Sequence, residues 1–121
     1  MIITIPFPDS SLNPNRKNGR HWAATKSAKD SYYQHAYYAS REALGRDKLD
    51  VCDTYKLRLT FIQPDKRLRD LDNLFSSCKS AIDGIASALK INDRQFAAVE
   101  LLRGYHKDKG CVLVWIIRME E

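Results

Sequence analysis

The 121-residue chain is predicted to fold as one α+β domain spanning residues 1–121, a mixed β-sheet with two helices in the order β-α-β-α-β-β. Three observations predict it: a two-residue alternation of apolar side chains from Tyr55 to Phe61, apolar stripes at helical spacing on either side of it, and two strand-like runs at the C-terminal end. A composition that is 44% hydrophobic supplies a core without disulfide or metal staples.

Ile2 to Phe7 reads as a short strand interrupted by Pro6 and Pro8, and residues 8–24 read as a long loop rich in Pro, Asn, Ser and basic side chains. Long loops in small domains are more often functional than neutral. From Lys26 to Leu44 the positions Ala28, Tyr32, Ala36, Ala39 and Ala43 recur at helical spacing, and Gly45 is a stop. Tyr55, Leu57, Leu59 and Phe61 alternate with Lys56, Arg58 and Thr60 as a half-buried strand that Pro64 closes. Leu74, Cys78, Ala81, Ile82, Ile85 and Leu89 mark one stripe of a second helix. Phe96 to Tyr105 and Cys111 to Arg118 are strand-like and joined through Lys107-Asp108-Lys109-Gly110, which predicts a terminal hairpin. The last strand is apolar on both alternating faces and is expected at the sheet centre.

Cys52, Cys78 and Cys111 are odd in number and have no metal-ligand spacing, so they are expected to be free thiols in a reducing cytoplasm. No apolar run approaches the roughly 18 residues of a membrane span, and no basic leader precedes the N-terminal apolar residues. A soluble, untargeted protein is expected. The formal net charge of +5 makes a polyanion the natural partner. The positive residues gather in or beside loops: Arg16, Lys17 and Arg20; Lys66, Arg67 and Arg69; Arg103, Lys107 and Lys109.

The segment Asp65-Lys66-Arg67-Leu68-Arg69-Asp70-Leu71-Asp72-Asn73 sets positive charge directly before two carboxylates, where strand pattern gives way to helix pattern. Two carboxylates that turn toward one point repel unless a proton or cation lies between them, and a third acid would argue for Mg²⁺ or Mn²⁺. Asp93, after the second helix, is that third candidate. The competing reading is helix capping, since Asp and Asn at helix starts commonly accept from the exposed N–H groups. Lys79 and Asp83 share the helical face that carries Asp72; a lysine there either contacts a phosphate or forms a solvated pair with Asp83. Asn13-Pro14-Asn15-Arg16-Lys17 with His21-Trp22 offers amide, cationic and aromatic groups for phosphates and unpaired bases, or an ordinary surface loop with a packed Trp. His35 and His106 have no partner at catalytic spacing. No Gly-rich phosphate loop, nucleophile elbow or strand-borne acid-x-Lys pair occurs.

Taken together, Arg69-Asp70-Leu71-Asp72-Asn73-Leu74, Lys79 with Asp83, and Asn92-Asp93 resemble the RusA family of Holliday-junction resolvases of phages and prophages, as do Ile5-Pro6-Phe7-Pro8, Asn13-Pro14-Asn15-Arg16 and His21-Trp22. The resemblance covers nearly the whole chain. It implies a homodimeric, Mg²⁺-dependent endonuclease, active in the bacterial host cytoplasm, that makes paired symmetric cuts in four-way DNA junctions; no membrane and no small-molecule cofactor is implied. The family's essential acids map onto Asp70, Asp72 and Asp93. Two departures stand out: Ser76 occupies the position of the family lysine, with Lys79 about one helical turn further, and Asn92 stands where a second acid often precedes Asp93.

On this reading Asp70, Asp72 and Asp93 hold the metal, Lys79 assists, and Asn13, Asn15, Arg16, Lys17, Arg20, Lys66, Arg67 and Arg69 bind DNA. An unbroken helix from Asn73 to Leu89 would hold Asp72 about 25 Å from Asp93. Either the helix breaks near Gly84 and folds back, or a twofold dimer sets two such helices antiparallel. The rival readings are a non-catalytic junction- or single-strand-binding protein and a metal-dependent nuclease for flaps or RNA.

Overall fold

The computed structural model describes residues 1–13, 22–47, 49, 54–105 and 109–119, without the side chains of residues 22–24. Helices lie on one face of a mixed four-stranded sheet: β1 (Ile2–Ile5), α1 (Trp22–Leu44), β2 (Tyr55–Ile62), α2 (Leu71–Ser77), α3 (Lys79–Leu89), β3 (Phe96–Arg103) and β4 (Cys111–Arg118). Tyr32, Ala36, Ser40 and Leu44 form the buried stripe of α1, each four residues from the next. The Ser40 hydroxyl, buried with them, donates to the Ala36 carbonyl at 2.8 Å. Gly45, at φ +63°, ends α1 in the left-handed conformation and returns its N–H to Arg41 O. The alternation read in β2 is borne out: Tyr55, Leu57, Leu59 and Phe61 are buried, facing Ile82 and Ile85 across the core.

The expected hairpin between the last two strands does not form. The sheet order is β1-β4-β2-β3, with β3 parallel to β2, and β4 antiparallel to both β2 and β1. A strand that follows a helical crossover pairs in parallel with the strand before the crossover, and that places β3 beside β2. The connection from β3 to β4 must then pass over the end of β2. Gly104 N–H bonds to Phe61 O at 2.9 Å on one side of that crossing. On the other, a side chain on Gly110 would come within 2.6 Å of Ile62 O. The expectation that β4 lies centrally holds: it sits between β1 and β2 with Val112, Val114 and Ile116 buried.

The second predicted helix is two. Cys78, at φ −91° and ψ 1°, separates α2 from α3 with a single tight turn. Of the two alternatives, the break near Gly84 is absent: Gly84 lies inside α3, where it lets α1 approach. A Cβ at Gly84 would run into the carbonyl oxygen of Tyr33 and stand 3.2 Å from its carbonyl carbon. Past Leu89 the chain reverses through Lys90 at φ +60°, with Ile91 N–H bonded to Ala86 O. Overpacking against fixed backbone costs about 1–3 kcal/mol, more than the roughly 1 kcal/mol that alanine gains over glycine inside a helix. Gly84→Ala is therefore expected to lower stability in urea denaturation by about 1–2 kcal/mol. An unchanged or higher midpoint would show that α1 and α3 separate without cost.

Candidate active site

Beyond Ile62 the chain turns through Pro64 into a loop organised by one carboxylate. Asp65 Oδ1 accepts from Arg67 N–H at 3.0 Å and Arg69 Nη1 at 2.8 Å, while Oδ2 accepts from Arg69 Nη2 at 3.1 Å and Arg67 Nε at 3.3 Å. The two-pronged Arg69 bond, followed by the Arg67 backbone and side chain, holds the Asp65 carboxyl well below the usual carboxylate range. The Arg69 guanidinium also lies 5.2 Å from the centre of the Phe7 ring. Two further bonds fasten the loop: Gln63 Nε2 donates to Arg67 O at 3.2 Å, and Arg103 Nη1 donates to Arg69 O. Arg67 and Arg69, expected as free DNA contacts, are thus already paired with Asp65; Lys66 stands exposed beside them.

This loop delivers Asp70 to the mouth of α2. Asp70 occupies the N-cap with extended φ −71° and ψ 133°, yet its side chain makes no capping bond. Its Oδ2 accepts a long bond, 3.4 Å, from the Asn73 side-chain amide. The capping reading therefore fails for Asp70, whose carboxylate remains exposed for another use. Asp72 follows in the first turn of α2, also exposed. Beside them opens a cleft of about 540 Å³, lined by Phe7, Pro8, Asp9 and Asn13 on one side and by Arg67, Arg69, Asp70 and Asn73 on the other. Asn13 is the member of the predicted N-terminal DNA-binding set that reaches it; Asn15, Arg16, Lys17 and Arg20 lie outside the described residues, as do His21, Cys52, His106 and Lys107.

The other predicted groups collect elsewhere. Lys79 opens α3, exposed, and Asp83 follows half-buried one turn later. Burial pushes the Asp83 carboxyl up, the Asp93 carboxylate pushes it further, and Lys79 opposes both. The Asp93 charge is thus felt at Asp83. Asn92 explains itself structurally: its side chain accepts from Arg94 N–H at 3.0 Å while Gln95 Oε1 accepts from Asn92 N–H at 2.8 Å, a capping box for the short turn Asp93–Gln95. Asp93 then feeds β3, which runs parallel to β2 and ends where Arg103 meets Arg69. Eight strand residues separate those ends by roughly 25 Å, so Asp93 cannot join Asp70 and Asp72 within one chain. Among the described residues no three His, Cys, Asp or Glu side chains of one chain converge to hold a metal ion.

Three groups escaped the sequence reading. Asp65 looked like one more loop charge, though acid at position i with Arg at i+2 and i+4 is a pattern that a turn can close. Phe7 was read only as the end of the first strand and as part of the N-terminal resemblance. Tyr32 donates from its hydroxyl to Pro6 O at 2.6 Å and lies 3.6 Å from Cys78 Sγ, tying β1, α1 and the α2–α3 break together behind the cleft. Burial pushes the Tyr32 phenol up and the Cys78 thiol to about 12, which makes Cys78 an inert packing group.

The class defined by fold and site is a small α+β domain with an exposed carboxylate, Asp70, lining an arginine-bearing cleft and a second, Asp72, exposed in the first turn of the helix that follows. No family model matches the chain. It is 31% identical over 115 residues, 94% of its own length and 74% of the relative's, to an uncharacterized protein of Xylella fastidiosa (strain Temecula1 / ATCC 700964). The chain belongs to the same family as that protein.

Because Asp65 binds its proton less tightly folded than unfolded, the stability it adds is present above the ordinary carboxylate range and lost as pH falls through the depressed folded value. The stability difference between the native chain and Asp65→Asn, measured by urea denaturation, is expected to be largest near neutrality and to shrink below about pH 4. A difference that does not change with pH would rule out the ion pair as its source.

Proposed function

We propose that the chain is a divalent-metal-dependent endodeoxyribonuclease of the RusA type that resolves four-way DNA junctions as a homodimer. The observation that carries this reading is Asp70: a carboxylate at a helix start that declines to cap it and instead faces an arginine-lined cleft with Asp72 close behind. Structural caps spend their side chains on the first-turn N–H groups.

The donor chemistry fits a hard cation. Mg²⁺ keeps several waters and takes one or two protein carboxylates, which Asp70 and Asp72 supply, with Asp93 of a second copy as the further oxygen ligand; Mn²⁺ suits the same oxygens. A cation there supplies Lewis-acid stabilisation of the charge that develops on a phosphodiester under attack by water. The remaining work falls to this chain's own groups. Lys66 and the outward surfaces of Arg67 and Arg69 hold the DNA backbone, and Asp65 keeps both arginines in place without the entropy loss of ordering free side chains. Asn13 contributes a polar contact on the opposite wall of the cleft, while the Phe7 ring lies beside the Arg69 guanidinium, 5.2 Å from ring centre to guanidinium carbon. Lys79 and Asp93 both act electrostatically on Asp83, and on this reading Lys79 serves the half-site that a second copy completes.

A synthetic four-way junction incubated with Mg²⁺ is expected to be cut symmetrically, with linear duplex, flap and RNA controls intact. EDTA should abolish cutting, and Asp70→Asn or Asp72→Asn should lower it by roughly a hundredfold or more while leaving junction binding intact. Junction binding that survives EDTA with no cutting under any divalent metal would select the non-catalytic binding protein instead.

A further inference from the structure

We infer that Leu68 is an apolar wedge that enters the base stack beside the exchange point of a four-way junction, so that the chain holds a branch point in preference to intact duplex. The inference rests on the junction-nuclease reading and names the residue that selects that substrate.

A leucine stabilises a fold by leaving water, yet Leu68 is 84% exposed. Single exposed leucines are ordinary on a protein surface. What sets this one apart is how firmly the backbone on either side of it is held. Asp65 takes the guanidinium groups of both its neighbours, Arg67 and Arg69. The Arg67 carbonyl accepts from Gln63 Nε2 at 3.2 Å, and the Arg69 carbonyl accepts from Arg103 Nη1 at the end of β3. A side chain that parts stacked bases is pushed back by them, and a mobile loop would yield. This loop is fastened to its own acid and to the end of β3, while the leucine between the two arginines is left in water.

The surroundings of Leu68 select a nucleic acid over a protein. Leu68 belongs to the lining of the cleft that carries Asp70, and its flanks are Lys66, Arg67 and Arg69, the Arg67 side chain being 77% exposed. An apolar anchor for a protein partner sits in a patch depleted of charge. A leucine among three cations instead matches a polyanion whose charged backbone encloses an apolar stack: the cations take phosphates on either side of a base step, and the leucine enters between the bases. Tyr105, 88% exposed, emerges at the same end of the sheet, two residues beyond the Arg103 that holds Arg69 O. Leu68 and Tyr105 are the most exposed large apolar side chains among the described residues. A phenol ring there offers a stacking surface to a base that the wedge displaces.

Entry into intact duplex costs the stacking of a base step. At an exchange point the strands leave one helix for another, and the stack opens more readily there, as it does at mismatched or damaged bases. The wedge therefore discriminates by the deformability of its substrate rather than by its sequence. Its position also sets where a cut falls. Leu68 stands two residues before Asp70 on the same cleft, so a wedge seated at the exchange point brings a phosphate close to that point against the carboxylate.

A synthetic junction carrying 2-aminopurine beside the exchange point, bound in EDTA so that no strand is cut, tests the wedge without reference to activity. On the native chain its fluorescence is expected to rise roughly twofold or more as the base unstacks. Leu68→Ala, at a position that folding leaves exposed, is expected to lose that rise and to lower the preference for junction over linear duplex roughly tenfold. Leu68→Phe, still apolar, should keep both. Either readout unchanged in Leu68→Ala, or no rise on the bound native chain, would overturn the wedge. So would a Leu68→Ala chain that sediments as a smaller particle than the native one, since the leucine would then belong to a contact between copies. A wedge signal from a chain that cuts no junction with any divalent metal would keep the inference and sink the nuclease reading; junction cutting with both readouts indifferent to Leu68→Ala would do the reverse.

Discussion

The parallel pairing of β3 with β2 is the constraint from which the rest of the molecule follows. A parallel neighbour requires a crossover, and the crossover here is α2 and α3, whose combined length returns the chain to the start of β2 before β3 begins. The acids at the two ends of that crossover are therefore held at opposite ends of the sheet. Asp70 and Asp72 lie where β2 ends, and Asp93 lies where β3 begins. No side-chain rotation closes such a gap. The same pairing forces the β3–β4 link over the end of β2, where the Gly104 and Gly110 contacts form, and brings Arg103 to Arg69.

Around the cleft, charge is used first for position. Asp65 collects Arg67 and Arg69 at the cost of part of their net charge, and Arg69 is further fixed by the Phe7 ring. The guanidinium donors of this surface are therefore already oriented, with their conformational entropy lost during folding. Behind the cleft, the Tyr32 hydroxyl bonded to Pro6 O connects the segment that carries Phe7, just past β1, to the helix break at Cys78. The two walls of the cleft, one from the N-terminal segment and one from α2, are thereby held to one frame. The opposite face of the sheet follows the same economy: Arg58 lies between Glu100 and the Trp115 ring, and Lys56 shares Glu100 at 3.3 Å.

The elements with strong periodicity were legible before any coordinates. β2 and β4 alternate or run apolar over eight residues each, and α1 repeats its buried stripe over three turns. The partner of β3 was not legible, because two consecutive strand patterns joined by turn residues resemble a hairpin locally, and only the preceding crossover decides otherwise. The break at Cys78 was hidden for a related reason: one tight turn shifts the helical phase without interrupting the apolar stripe of Leu74, Cys78, Ala81 and Ile82. Gly84 misled because a glycine in a helix signals either a break or a close approach, and the α1 backbone that approaches is remote in sequence. At the site, Asp70 and Asp72 could be read from spacing, but whether Asp70 caps the helix depends on a side-chain rotamer. Asp65 was missed because its arginine partners drew attention as DNA ligands.

The proposed site is incomplete in one chain, and its completion by a second is open to a direct measurement. Asp72→Asn and Asp93→Asn proteins, each inactive alone, are mixed, unfolded and refolded together, and junction cutting is measured in Mg²⁺. Composite sites predict that each mixed dimer regains one intact centre and nicks one strand of the pair. Mixtures that form dimers but stay as inactive as their parents would contradict it.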